Sequence, residues 1–155
     1  MPNASGELIS LGLCLQTGPV ILKFYRGEWC SYCNIDLKEI QKYLPQIEEL
    51  GASLLAVSPQ NSENAFTMKE NNVLGFVVLS DAHQEVIKAY HLQFDPGKDY
   101  HRRRDLSILN GGGSILLPVP ATFIIKPDFR TASANVDANY TMKMSPIQML
   151  EVLKI

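Results

Sequence analysis

The sequence predicts an α/β fold in three layers, a central mixed sheet of about four to five strands flanked by helices on both faces. Three observations carry this. Short apolar runs rich in β-branched and aromatic residues, "PVILKFY" at 19–25 and "ASLLAVSP" at 52–59, are what strands covered on both faces look like. Segments of helical period separate them, and such alternation implies parallel strands joined by right-handed crossovers. Near the C-terminus two strands meet across a tight turn at Pro127 and Asp128, which implies an antiparallel edge.

The elements follow in order. After "PVILKFY", Leu37, Ile40, Tyr43 or Leu44, and Ile47 recur at helical spacing as far as Gly51, with a kink expected at Pro45. "SENAFTMKENN" is a second, weaker helix, and "FVVLSD" a short strand whose Ser80 or Asp81 caps a helix through about Tyr90, with Val86, Ile87 and Tyr90 inward. Residues 93–118 hold Pro96, Gly97 and the triple glycine 111–113 without a sustained period, so a long loop or irregular insertion is expected there. "PATFIIK" and a strand near "RTASANV" precede a last helix capped by Ser145, with Pro146 at its first position and Ile147, Leu150 and Leu153 facing inward.

A chain of 155 residues with 46% hydrophobic and 19% charged side chains fits one domain, 1–155, that buries a core without crosslinks. Fourteen basic against 16 acidic residues leave a formal charge of -2, which argues against nucleic acid or an anionic membrane as partner. The N-terminus has neither the positive opening nor the unbroken apolar run of a signal peptide, and nowhere do 18 apolar residues run together. A cytoplasmic address is therefore expected. Three cysteines in a reducing compartment make the close pair Cys30 and Cys33 catalytic or metal-binding before structural.

In such a sheet, chemistry collects beyond the carboxyl ends of the strands, and Cys30 stands there at the start of a helix. Unpaired backbone N–H groups and the positive end of the helix dipole favour thiolate over thiol, and Arg26 can add to that field. Cys33, one turn on and more shielded than Cys30 at the solvent edge, is placed to close a disulfide with Cys30 and release whatever Cys30 has captured. A structural zinc site would need four ligands, whereas His83, His91 and His101 are scattered, so neither metal nor other cofactor is expected. A purely structural bridge would close a very short loop and stabilise little. Cys14, flanked by Leu13 and Leu15, fits a small buried hydrophobe. Trp29 can cover the disulfide, Glu28 can accept a proton from Cys33, "HRRR" at 101–104 can meet phosphate, an acidic partner or a glutathione carboxylate near the site, or remain a solvated surface, and "GGGS" fits a hinge.

"FYRGEWCSYCN" resembles the WCxxC centre of the thioredoxin-fold superfamily. "GPVILKFYRGEWCSYCNIDLKEIQKYLPQIEELGASLLAVSPQ", "FVVLSD" and "LPVPATFIIKPD" resemble one branch of it, the peroxiredoxin-like proteins of the alkyl hydroperoxide reductase and thiol-specific antioxidant group, over about residues 18–154. The resemblance implies a three-layer thioredoxin-like fold, with the N-terminal part shorter than the strand pair peroxiredoxins usually carry. It also nominates two different nucleophiles. The peroxiredoxin pattern PxxxTxxC puts Arg26 at its proline, Cys30 at its threonine and Cys33 at the peroxide-cleaving cysteine, whereas the thioredoxin pattern makes Cys30 the attacking thiol. Pro120 falls both where thioredoxin-fold proteins place a cis-proline opposite the cysteines and where peroxiredoxins place a peroxide-holding arginine. The absent threonine and arginine weigh against rapid peroxide reduction and leave disulfide exchange untouched.

The resulting expectation is a thiol-dependent antioxidant oxidoreductase. Cys30 and Cys33 are its catalytic pair, and Trp29, Arg26, Val119 and Pro120 bind substrate. Its oxidant is a hydroperoxide or a protein disulfide, its reductant an external thiol such as thioredoxin, glutaredoxin or glutathione, and a homodimer is allowed. The rivals are a general thiol-disulfide oxidoreductase without peroxidase activity and a redox-inert module that holds a peptide beside Pro120.

Overall fold

The computed structural model describes residues 1–139 and 142–155. Its chain order is α1 (Leu11–Thr17), β1 (Val20–Phe24), α2 (Ser31–Gln41), α3 (Leu44–Glu49), β2 (Ser53–Ser58), α4 (Ser62–Asn72), β3 (Val77–Ser80) and α5 (Glu85–Ala89). There follow β4 (Gln93–Phe94), α6 (Lys98–Arg103), α7 (Leu106–Leu109), β5 (Leu117–Pro118), β6 (Ala121–Ile125), β7 (Thr131–Val136) and α8 (Pro146–Leu153). The main sheet runs β3-β2-β1-β6-β7; β1, β2 and β3 are parallel, and β6 and β7 add antiparallel pairs at the other side. This is the expected three-layer α/β architecture, with five strands in the main sheet and β4 and β5 paired apart from it among the described residues.

β1 lies at the centre, and all five of its residues are buried. Val20, Leu22 and Phe24 point to one face, where Leu15 of α1 and Ile87 of α5 pack; Ile21 points to the other, against Leu37 and Ile40 of α2, Ile47 of α3, Met68 of α4 and Met149 of α8. Period-2 alternation into two apolar layers is why "PVILKF" has no polar face. One residue of the run is not apolar. Lys23, also on the second face, is 3% exposed and reaches Asp36 of α2 at 2.6 Å, with Thr122 Oγ1 at 3.3 Å.

Four local expectations are corrected. Pro45 breaks the helix rather than kinking it, because it lacks an N–H and its ring clashes with the preceding turn; α2 ends at Gln41 and α3 restarts with the proline in its first turn. Asp81 does not cap α5. A turn closed by the Gln84 N–H on the Asp81 carbonyl delays that helix, and the Asp81 carboxylate instead accepts from the Ile87 N–H at 2.7 Å. In α8 the Ser145 capping box forms as the spacing predicts, but Ile147 is exposed and Met149 is the fully buried residue. Finally, the Val119–Pro120 peptide is trans, as are all the described peptide bonds, so the cis-proline implied by the superfamily resemblance is absent.

The stretch 93–118 is irregular but not structureless: it holds α6, α7 and the β4–β5 ladder. Its triple glycine is a packing seam and not a hinge. The Gly111 N–H donates to the Pro59 carbonyl, and a Cβ at Gly111 would press on Asn61 and Ala82. The N-terminal segment carries α1, unanticipated from its sequence, and isolated bridges pair Pro2 with Leu8 and Asn3 with Leu79. No helix among the described residues is long and apolar enough to cross a membrane.

Candidate active site

β1 ends at Phe24, and six residues later Cys30 occupies the N-cap of α2 in an extended conformation. Its Sγ accepts from the Cys33 N–H at 3.3 Å, the place a Ser or Asp oxygen takes at most helix starts. Arg26 Nη2 donates to the same sulfur at 3.1 Å, while its Nη1 donates to the Tyr100 hydroxyl of α6 at 3.2 Å. A sulfur held by a guanidinium and a helix-terminal N–H is stabilised as thiolate when reduced. Cys30 and Cys33 are joined as a disulfide.

The two sulfurs face different spaces. Cys30 lines a cavity of about 520 Å³ together with Arg26, Trp29, Tyr32, Tyr100, Arg103 and Arg104. Trp29 forms one wall, with the Arg104 guanidinium 4.7 Å and the Arg26 guanidinium 5.5 Å from its ring centre and the Tyr100 ring edge-on at 6.4 Å. Gly27 is required for this, since a Cβ there would collide with the indole nitrogen. Cys33 instead lines a cavity of only about 20 Å³, with Lys23, Asp36, Pro120 and Lys143 among its walls. Lys143 Nζ lies 3.6 Å from Asp36, and burial holds its ammonium below the usual lysine range.

Arg26, Trp29, Cys30 and Cys33 are thus brought together as their spacing predicts. Val119 and Pro120 are not brought to the large cavity. Val119 packs on the apolar face opposite α2, with its N–H on the Leu92 carbonyl, and Pro120 borders the small cavity of Cys33. Both cysteines are shielded, Cys30 at 2% and Cys33 at 7% exposure, so the expectation of a more solvent-exposed Cys30 is corrected. What separates them is the space each sulfur meets. Cys14 is a free, half-buried thiol packed on the α1 face, as its leucine neighbours suggest.

Sequence reasoning missed the residues that hold the motif loop. Asn34 Nδ2 donates to the carbonyls of Glu28 and Cys30, both at 2.8 Å, and its Oδ1 accepts from Asn72 of α4 at 2.6 Å. Fully buried Gln60 accepts from the Glu28 N–H at 2.6 Å and donates to the Leu109 carbonyl of α7 at 3.2 Å, tying the cysteine loop to the insertion. Tyr100 and the arginines of α6 were legible only as part of a basic run. A signal existed for Asn34, a polar side chain on the inward stripe of α2, but none for its partners, which come from distant elements.

Comparison with known proteins fits this geometry. The family described as AhpC/TSA matches residues 1–131. No curated protein matches the chain. Among solved structures, the chain is similar to the peroxidoxin BcpB of Mycobacterium tuberculosis, at 19% identity and a TM-score of 0.77, covering 99% of this chain and 90% of that one. It is similar to the bacterioferritin comigratory protein of Xanthomonas campestris, whose structure is described in terms of alkyl peroxide reduction, at 17% identity and TM-score 0.76 over 99% and 88% of the two chains. A peroxiredoxin Q mutant of Xylella fastidiosa aligns at 19% identity and TM-score 0.74 over 99% and 87%. With a thioredoxin-like sheet, a dithiol centre at the first βα junction and a family match over most of its length, the chain belongs to the AhpC/TSA family of thiol-dependent peroxidases.

Proposed function

We propose that Cys30 is the peroxide-attacking sulfur and Cys33 the resolving one. The observation that carries this reading is the pair of donors on Cys30 Sγ, Arg26 Nη2 at 3.1 Å and the Cys33 N–H at 3.3 Å, at the wall of the large cavity. The Cys30 thiolate attacks the terminal oxygen of the hydroperoxide; the O–O bond breaks, the alkoxide leaves and takes a proton, and Cys30 becomes a sulfenic acid. The Cys33 thiol then displaces water from that sulfur to form the disulfide. Arg26 is aimed where negative charge moves from sulfur to leaving oxygen, the role of preorganised donors in such steps. An external thiol donor, in a reducing compartment such as the cytoplasm, restores the dithiol.

The general disulfide reductase is less well supported. It needs an extended protein segment beside the attacking sulfur, whereas Pro120 lies by Cys33, Val119 packs in the opposite apolar layer, and neither lines the cavity of Cys30. Stopped-flow mixing of the reduced protein with hydroperoxide decides between the readings. Rapid thiol loss that Cys30→Ser abolishes, with a sulfenic acid trapped on Cys30 in Cys33→Ser, is expected. Trapping on Cys33 in Cys30→Ser, or slow oxidation beside quick reduction of insulin, overturns the assignment.

A further inference from the structure

The cavity over Cys30 carries more positive charge than peroxide cleavage needs. Three guanidinium groups, of Arg26, Arg103 and Arg104, line it, and among the described lining residues none is acidic. The acids of the same segment are engaged elsewhere. Asp95 meets His101 at 2.7 Å and the Gly97 N–H at 2.8 Å, Asp99 meets Arg102 at 3.3 Å, and the Asp105 carboxylate caps α7 through the Ser107 N–H at 3.1 Å. "HRRRD" is therefore sorted by folding. His101 and Arg102 turn to their own acids, and Arg103 and Arg104 turn to the cavity.

The oxidation state matters here. With Cys30 and Cys33 joined, the co-substrate this form consumes is the electron donor, and of the two cavities that border the disulfide the larger, of about 520 Å³, lies at Cys30. That volume lies in the range of small-molecule sites, roughly 300–1,000 Å³. Its walls of Trp29, Tyr32 and Tyr100 suit a small organic body, and its two outer arginines suit carboxylates, which a guanidinium binds in bidentate fashion.

We propose that the electron donor is a small thiol bearing carboxylates, of the glutathione type, held by Arg103 and Arg104 with its sulfur on Cys30. This rests on the reading of Cys30 as the sulfur that meets outside substrates. The donor thiolate attacks Cys30 Sγ; the Cys30–Cys33 bond breaks, a mixed disulfide forms on Cys30, and Cys33 leaves as a thiolate. A second donor thiolate attacks the donor sulfur of the mixed disulfide, releasing oxidised donor and the Cys30 thiolate. Two thiols are oxidised to one disulfide and one protein disulfide is reduced, with the two protons of the donors balancing the two protein thiols. Lys23 and Lys143, set against the single Asp36 at the Cys33 cavity, leave a net positive surrounding for the departing Cys33 thiolate.

The test follows re-reduction of the oxidised protein by glutathione and by its dimethyl ester at equal thiolate concentration, read by Trp29 fluorescence and thiol titration. The free-acid donor is expected to react about tenfold faster or more at low ionic strength, with the advantage shrinking in about 0.5 M salt as surface charges are screened. In Arg103→Gln/Arg104→Gln the ratio of the two rates falls to about one, while Arg103→Lys/Arg104→Lys keeps part of it. A ratio near one in the unmodified protein, or a ratio untouched by the glutamine pair, overturns the proposal. So does fast reduction by a thioredoxin-type protein with no preference between glutathione and ester, which would make the donor a protein. The underlying assignment fails separately: if Cys30→Ser still oxidises with hydrogen peroxide at the unmodified rate, Cys30 is not the entry sulfur, whatever the donor ratio.

Discussion

Two sulfurs three residues apart live in two different worlds. On the Cys30 side the protein builds a wide cavity walled by aromatic rings and guanidinium groups; on the Cys33 side it builds a small pocket over a buried Lys23–Asp36 pair joined by Lys143. One helical turn separates them, so the contrast is not of chain position but of which neighbours the fold delivers. Arg26 reaches Cys30 from the strand end and Arg103 and Arg104 reach its cavity from the insertion, while Lys23 and Lys143 approach Cys33 from inside the sheet and from the segment before α8. The lesson is that cavity shape and local charge distinguish two sulfurs that are both shielded from solvent.

The sharpest way to break this contrast is to remove the sulfurs singly. Cys30→Ser is expected to slow peroxide reduction by at least about 10³-fold, as loss of a nucleophile does, whereas Cys33→Ser keeps one stoichiometric oxidation and loses the disulfide step; thiol titration after peroxide measures both. Next in size is the buried pair beneath Cys33. Lys23→Ala leaves Asp36 uncompensated and is expected to cost about 3–5 kcal/mol in urea unfolding, while Lys23→Met with Asp36→Leu is expected to recover most of it. If the single and double variants unfold alike, the pair is not what organises that side.

A smaller effect is expected at the charge on the open side. Arg26→Met removes a charge-assisted hydrogen bond from the sulfur, so the reduced Cys30 thiol should ionise at higher pH, seen in the pH dependence of thiolate absorbance. The smallest concerns the anchoring of α6, which carries Tyr100 and Arg103. The Gly97 N–H, and then His101, hold the Asp95 carboxyl below the usual carboxylate range. Because the folded pKa is depressed, this anchoring is complete above the unfolded carboxylate pKa and is lost as pH falls through the folded one. A carboxyl titration of Asp95 by NMR, alongside Trp29 fluorescence, should show the loosening only on the acid side of that range.

Much of the fold was legible because it rests on local rules. The buried strands announced themselves as apolar runs, the closing turn by Pro127 and Asp128, and α8 by the Ser145–Pro146 start. The misses share one cause. α1, the delayed start of α5, the inward Met149 and the short elements within 93–118 depend on which surface each segment meets, and no sequence window contains that information. Pro120 does border the cysteine pair, at Cys33, but a proline before a strand says nothing of which of two nearby cysteines it will meet.

By itself the amino-acid sequence determined the layered α/β plan, the position of Cys30 at a strand-to-helix junction and the reach of Cys33 back to it, because strand burial, helix capping and one-turn spacing act over a few residues. Only the tertiary structure decided that Arg103 and Arg104 line the cavity over Cys30, that the Tyr100 hydroxyl takes the other end of Arg26, and that a lysine inside β1 is neutralised by Asp36 of α2. Each of those joins different elements of the fold. Charge at a distance is set by packing, and packing is a property of the whole molecule.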